Sequence, residues 1–365
     1  MALNVNVMSN KLPLTIRMWN GIKNLVGRGP ATAQMQISAA YPNMTAPDLL
    51  KPLTVPELYK LNQAIAMEKG DGKFFTRDEA LIKFNPRKEI VAVGDLHGNI
   101  ARLDRLVNDL GPRLASGEIV LTFLGDAIHP EKGDDKKLRD MSASIATLNT
   151  IINLKKMYPD RVHFLIGNHD VVNPKDQNAM GFTKGGVPQA LVFLTDLQKY
   201  FRSQGYSGED TEKMVAGYQN FFDSCAVSAT VEGSKYAVLL AHSAVVKGGV
   251  KQEQLIKARE NPGLLRQLLW NTYRLRSSNM ADVVYKAKDV IDTIKLLNFK
   301  VPEQNVYLIS GHTPDDKGFV HQPFPGMNHF IVHGNVENSF GVLVIKDGLP
   351  QGMVIKIDPQ IANAA

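Results

Sequence analysis

Five short apolar runs in this chain end the same way, and that repetition constrains the fold more than any other feature. "EIVAV" (89–93) is followed by Gly94-Asp95-Leu96-His97-Gly98-Asn99, and "IVLTFL" (119–124) by Gly125-Asp126. "VHFLI" (162–166) runs into Gly167-Asn168-His169-Asp170, "YAVLLA" (236–241) into His242-Ser243, and "VYLIS" (306–310) into Gly311-His312. Short continuous apolar runs bounded by turn residues read as buried strands. Between them lie helical patterns: "NIARLDRLVNDL" (99–110), "LRDMSASIATLNTIINLKKMY" (138–158), and mostly helical stretches at 185–222 and 251–298. Strands alternating with helices at this pitch predict an α/β fold, its sheet largely parallel or mixed with helices on its faces. In open α/β sheets ligands gather beyond the carboxyl ends of the strands. The pattern therefore predicts that Asp95, His97, Asp126, Asn168, His169, His242 and His312 meet at one sheet edge.

The residue types suggest what such an edge would hold. Asp and Asn offer hard oxygen donors, and neutral imidazole suits manganese, iron and zinc. Cys225, the one cysteine, excludes a thiolate zinc site and an intramolecular disulfide, and it fits a reducing compartment. Seven side chains exceed the needs of one tetrahedral ion. They match two ions sharing a carboxylate, which clamps the attacking and leaving oxygens of a phosphoryl displacement. Glycine precedes four of the groups and allows tight turns there. Singly, each of these residues reads as an ordinary turn or core residue; together they read as a site. Cys225 itself, His163 and His321 read as structural.

Composition sets the outer bounds. The chain has 365 residues, 44% hydrophobic and 21% charged, which suits a globular protein with a large core. A net charge of +6 favours anionic partners such as phosphorylated surfaces, but it is too diffuse to argue for nucleic acid. No run approaches 18 apolar residues, so no membrane span is expected. Residues 1–35 lack acidic side chains and place Met18, Trp19, Ile22, Leu25 and Val26 on one helical face. That reads as a packed helix or tail, with contact to a membrane surface or partner as the alternative. Residues 30–50 read as a linker, and Thr54-Val55-Pro56-Glu57 has capping-box spacing before a helix carrying Leu58, Leu61 and Ile65. The final stretches, 329–334 and 340–358, read as strands, with a hairpin turn at Asp347-Gly348.

In order, these motifs resemble the signature of the calcineurin-like metallophosphoesterases, and within them the phosphoprotein phosphatase branch. The resemblance rests on "GDLHGN" (94–99), "GDAIHPEKG" (125–133), "GNHD" (167–170), "AHS" (241–243) and "GHTP" (311–314). "GLLRQLLWN" (263–271), "FFDSCAVSATV" (221–231) and "FIVHGNVENSFGVLVI" (330–345) are similar to further segments of that branch, as is Pro314. It covers about 85–358, leaving 1–84 as an N-terminal extension with a helical segment. It implies a central β-sandwich of mixed sheets flanked by helices, with helical insertions at about 185–222 and 251–298. It also implies a metal-dependent phosphomonoesterase, first of all a protein serine/threonine phosphatase with a metal-bridging hydroxide as nucleophile. The alternatives are a tyrosine or dual-specificity phosphatase, a hydrolase of dinucleoside polyphosphates or other small phosphoesters, and a weakly active phosphate-recognising scaffold. Two divalent ions are implied, manganese first and iron or zinc as alternatives. Asp95 and His97 would bind one, Asn168, His242 and His312 the other, and Asp126 both. His169 would act as general acid with Asp170 in support. The partner would be a phosphoprotein and the location the cytoplasm, or a host cell if the protein is a bacterial effector.

The chain departs from the family in two motifs. The family's GDxxDRG becomes Gly125-Asp126-Ala127-Ile128-His129-Pro130, so His129 stands where a second Asp orients the catalytic histidine. The Arg of that motif is missing, as is the Arg that commonly follows GNH(E/D). Bidentate guanidinium contacts to phosphate are hard to replace. Arg274, Arg276, Lys132 and Lys175 are candidate substitutes. His333 falls near a segment the family places by its active site.

Overall fold

The computed structural model describes residues 46–130, 135–173, 183–184, 186–274, 283–313, 320–332 and 339–356. The basic N-terminal segment, Lys132, Lys175, Arg276, Pro314 and His333 lie outside these residues. Helix α1 (Val55–Ala66) starts with the expected capping box, the Thr54 backbone N–H donating to Glu57 Oε2 at 2.9 Å. Then follow β1 (Phe75–Asp78), β2 (Leu81–Phe84), β3 (Glu89–Val93), α2 (Ile100–Ala115), β4 (Ile119–Phe123), α3 (Ser142–Met157) and β5 (Val162–Phe164). The hairpin β6 (Thr183–Lys184) and β7 (Val187–Pro188) leads into α4 (Gln189–Ser203), α5 (Gly208–Ser224), β8 (Ser228–Glu232) and β9 (Ala237–Ala241). The remainder includes α6 (Pro262–Trp270), α7 (Ala287–Leu297), β10 (Val306–Ser310), β11 (Val320–His321), β12 (His329–Val332), β13 (Ser339–Lys346) and β14 (Leu349–Lys356).

Two mixed sheets form the centre, one ordered β1-β2-β8-β9-β10-β12-β11 and the other β14-β13-β3-β4-β5. Strands β3, β4 and β5 run parallel, as do β9, β10 and β12, and antiparallel neighbours flank each set. Ile90, Ala92 and Val120 of one sheet share a buried cluster with Ile82, Val238, Leu240 and Ile309 of the other. The alternate residues Val91, Val93 and Leu121 join a second cluster with the helices. Both faces of "EIVAV" are therefore covered, which is why the strand shows no polar alternation. The sandwich flanked by helices is the fold class expected from the sequence.

Several elements differ in extent from the sequence-based expectation, each for a local reason. Helix α2 continues five residues past Leu110, with Pro112 inside it, because Leu114 is buried. Its burial outweighs a missing hydrogen bond near the helix end. The single helix expected over 138–158 is two, Asp135–Arg139 and α3. Asp140 Oδ1 accepts from the Ser142 backbone N–H at 3.0 Å and from its hydroxyl at 2.6 Å, a local arrangement that competes with helix hydrogen bonds. Strands β1 and β2 have no clear signal in the sequence; β2 is held by parallel pairing with β8. The Asp347-Gly348 turn is present, with φ of 50° and 75°. Cys225 is buried and its thiol is pushed up to about 12 by burial, so it is not a nucleophile. His163 packs edge-on against Phe75 and Phe84, at ring distances of 4.4 and 5.2 Å.

Candidate metal centre

The five polar strand ends do meet. Asp95 and His97 follow β3, Asp126 follows β4, Asn168, His169 and Asp170 follow β5, His242 follows β9 and His312 follows β10. The two sheets thus each bring donors to one edge, and backbone bonds across that edge hold them. The Leu96 and His97 N–H groups donate to the Asp126 carbonyl at 3.0 and 2.9 Å. The His312 N–H donates to the Asp95 carboxylate, 3.0 Å from each oxygen. The His169 N–H donates to Asp126 Oδ1 at 2.8 Å.

Side-chain direction here depends on strained backbone. His97, Asp126, His129 and His312 have φ of 48°, 53°, 68° and 66°. Residues with a Cβ adopt this left-handed region at a cost of roughly 1–3 kcal/mol each, and such strain clusters at functional sites. For Asp126 the surroundings enforce it: Asp170 Oδ2 accepts its N–H at 2.8 Å, while the Leu96 and His97 N–H groups hold its carbonyl. The glycines do more than turn the chain. Gly125 has φ of 99°, but Gly167 and Gly311 are needed for close approach. A Cβ on Gly167 would clash with Asp126 Oδ1, and one on Gly311 with Asp95 Oδ1.

The donor atoms form two sets sharing one member. Asp95, His97 and Asp126 each present a ligand atom, all within 4.8 Å of one another, and Asp126, His242 and His312 do the same. Asn168 Oδ1 adds a further oxygen, 2.7 Å from His242 Nε2 and 2.8 Å from His312 Nδ1. Tautomers are set from behind. His242 Nδ1 lies 2.8 Å from the Leu124 carbonyl and His97 Nδ1 lies 2.9 Å from the His129 carbonyl. A carbonyl only accepts, so each Nδ1 carries the hydrogen and leaves Nε2 with a lone pair facing the centre.

The electrostatics match a site for cations. Burial opposes the Asp126 charge, but His242, His169 and His97 hold its carboxyl well below the usual range. Burial pushes Asp95 up to about 6, with Asp126 adding to the rise. His242, disfavoured as a cation by burial, is raised to about 9 by the Asp126 and Asp95 carboxylates. Divalent cations would compete with a proton for His242, since a ligating imidazole must be neutral.

Asp170 accepts three backbone N–H groups, from Gly167 at 2.7 Å, Asp126 at 2.8 Å and Ala127 at 2.9 Å. It therefore ties the β4 loop to the β5 loop. Its carboxyl is raised to about 7 by burial and by Asp126, against the pull of those N–H groups. His129 meets the His169 ring edge-on at 5.6 Å and is held neutral by burial, its pKa lowered to about 3. His169 is likewise lowered by burial, with His97, His129 and Lys184 adding to the effect. Lys184 is a basic residue here that the sequence did not single out; its only signal is the short Thr-Lys-Gly-Gly-Val-Pro hairpin. Arg274 is exposed, its guanidinium 4.9 Å from the Tyr273 ring centroid.

The chain matches the sequence profile of the calcineurin-like phosphoesterases over residues 88–316. It belongs to that family. A phosphoesterase of this family is a hydrolase acting on phosphoesters and uses divalent metals; the hard oxygens and imidazole lone pairs of the two donor sets fit such ions. Its fold is similar to that of a protein serine/threonine phosphatase from Saccharomyces cerevisiae with similarity to human phosphatase PP5, with a TM-score of 0.55, 13% identity, and coverage of 89% of this chain and 96% of that one. A putative diadenosine tetraphosphatase superposes with a TM-score of 0.37 at 13% identity over 76% of this chain and 98% of that one. No curated protein matches the phosphoesterase chain. No helix among its described residues is long and apolar enough to cross a membrane.

Proposed function

We propose that this phosphoesterase is a phosphoprotein phosphatase acting on phosphoserine and phosphothreonine through a dinuclear centre, with manganese as the preferred ion. The observation that carries this reading is the Asp126 carboxylate, shared by both donor sets. Asp95 and His97 would hold one ion, and Asn168, His242 and His312 the other. When bound, two such ions lower the pKa of a coordinated water and neutralise phosphoryl oxygens. The chain's own residues do the rest. Asp170 and the Asp126 backbone keep the β4 and β5 loops in register, so the His169 ring stands beside the donor sets. His169 supplies the proton that the leaving serine or threonine oxygen needs, since an alkoxide is a poor leaving group. An arriving phosphoryl dianion adds negative charge beside His169 and so raises its affinity for that proton.

The reading is tested by assaying the manganese-loaded chain against phosphoserine, phosphothreonine and phosphotyrosine peptides and diadenosine tetraphosphate. The highest kcat/KM should fall on the first two, and a preference for the dinucleotide would overturn the proposal. His169→Ala should slow phosphoserine peptide hydrolysis by about 10²–10⁴-fold. Its effect on p-nitrophenyl phosphate should be clearly smaller, because p-nitrophenolate departs without a proton. Equal losses on both substrates would remove His169 from the general-acid role.

A further inference from the structure

The loop that follows β4, where the chain departs from the family's GDxxDRG motif, carries a backbone group that acts on a candidate metal ligand. The His129 carbonyl accepts the Nδ1 hydrogen of His97 at 2.9 Å, which leaves His97 Nε2 with its lone pair toward the centre. His129 presents that carbonyl from a left-handed backbone, with φ of 68°. A residue with a Cβ keeps such a conformation only where its surroundings enforce it. Two buried side chains do so. Ser144, the third residue of α3, accepts the His129 N–H through Oγ at 3.2 Å. Gln189, the first residue of α4, donates from Nε2 to the Pro130 carbonyl at 2.7 Å. The His129 ring rests 5.7 Å from Phe193, also in α4. Ser144 reaches the loop that carries His97 as well: a Cβ added to Gly98 would fall 2.5 Å from its Oγ. The Gly98 N–H in turn donates to the Ala127 carbonyl at 2.8 Å. One hydroxyl therefore stands between the two loops whose spacing sets the bond from His97 to His129.

We propose that Ser144 and Gln189 are positioning residues for the ion that Asp95, His97 and Asp126 would hold. They clamp the His129–Pro130 turn so that its carbonyl stays on His97 Nδ1. This rests on the dinuclear reading of the centre. Without the Ser144 hydroxyl, the His129 N–H loses this acceptor and the left-handed turn loses a restraint. The turn then relaxes and its carbonyl swings away from His97. The His97 ring becomes free to rotate or to carry its hydrogen on Nε2, and either change takes a donor from that ion. The other ion is independent of the clamp. The tautomer of His242 is set by the Leu124 carbonyl, 2.8 Å from Nδ1, and Leu124 precedes the turn. Gln189 also links the helical insertion to the centre, since α4 reaches the turn through this amide and Phe193.

The test uses the full chain and three readouts: manganese titration by calorimetry, the paramagnetic resonance spectrum of the bound manganese, and urea unfolding. His97→Ala identifies which titration step belongs to the ion on Asp95 and His97. Ser144→Ala should weaken that step by about 10–100-fold and leave the other within about threefold of the parent. At a manganese concentration between the two affinities, the spectrum should change from that of a coupled pair to that of an isolated ion. Gln189→Met should give the same one-sided loss, and it is the deciding variant if Ser144→Ala does not fold. Thr147→Val is the control and should bind both ions as the parent does. Its hydroxyl is buried in the same helix and meets no hydrogen-bond partner among the described residues. Parent-like affinity for both ions in either clamp variant would overturn the proposal. So would an equal loss of both ions with a lower urea midpoint, because that pattern marks a packing role. A parent chain that binds a single manganese ion would sink the dinuclear reading. The clamp would still be decided there, supported by a weaker affinity in Ser144→Ala and overturned by an unchanged one.

Discussion

Asp126→Asn should all but abolish hydrolysis, lowering kcat/KM by about 10³-fold or more. Asp126 is the member common to both donor sets, and its Oδ2 lies 3.3 Å from His242 Nε2 and 3.7 Å from His97 Nε2. Asparagine has the same shape and can still accept the His169 N–H through one oxygen. It removes the negative charge and places an amide opposite the imidazole lone pairs. Bound cations contribute several kcal/mol of transition-state charge stabilisation, and at about 1.4 kcal/mol per tenfold that amounts to roughly three orders of magnitude. Elemental analysis should show a parallel loss of bound metal. A variant that keeps the parent's metal content and rate would exclude Asp126 from the centre.

Gly311→Ala should be nearly as damaging, although it removes no functional group. The new Cβ would fall within contact distance of Asp95 Oδ1, and neither partner can move away. Asp95 is held by the His312 N–H, while the Gly311 N–H donates to the His242 carbonyl at 3.1 Å. Relief requires displacing the Asp95 carboxylate, so metal affinity should fall by about 10–100-fold or more. Overpacking should cost about 1–3 kcal/mol of stability. Gly208→Ala is the control, because that glycine, the first residue of α5, has nothing within 4 Å of an added Cβ. Manganese titration and urea unfolding of the two variants separate the effects. Parent-like metal affinity in Gly311→Ala would show that Asp95 is free to shift.

The donors are legible in the sequence because their signal is local. Each follows an apolar run long enough to read as a strand, and parallel strands deliver their carboxyl ends to one edge. The strand at 89–93 has the same limits in sequence and structure for a related reason: both faces are buried from Ile90 to Val93, so those four residues are all apolar. Strands β1 and β2 are not legible, since "FTRD" and "LIKF" mix charge with apolar residues and depend on pairing with β8. The break at Asp140 is hidden because helical periodicity runs straight through it, and only the Ser142 contacts reveal the competing turn.

From the sequence alone came the order of the strands along the chain, the identity of the donors and the family to which they point. These depend on residue type and short-range spacing. Only the tertiary structure supplied the distances that group the donors, and showed that Gly167 and Gly311 are small to let carboxylates through rather than to turn the chain. Contacts between residues far apart in sequence follow from how the two sheets pack across their common edge, and no local pattern encodes that distance.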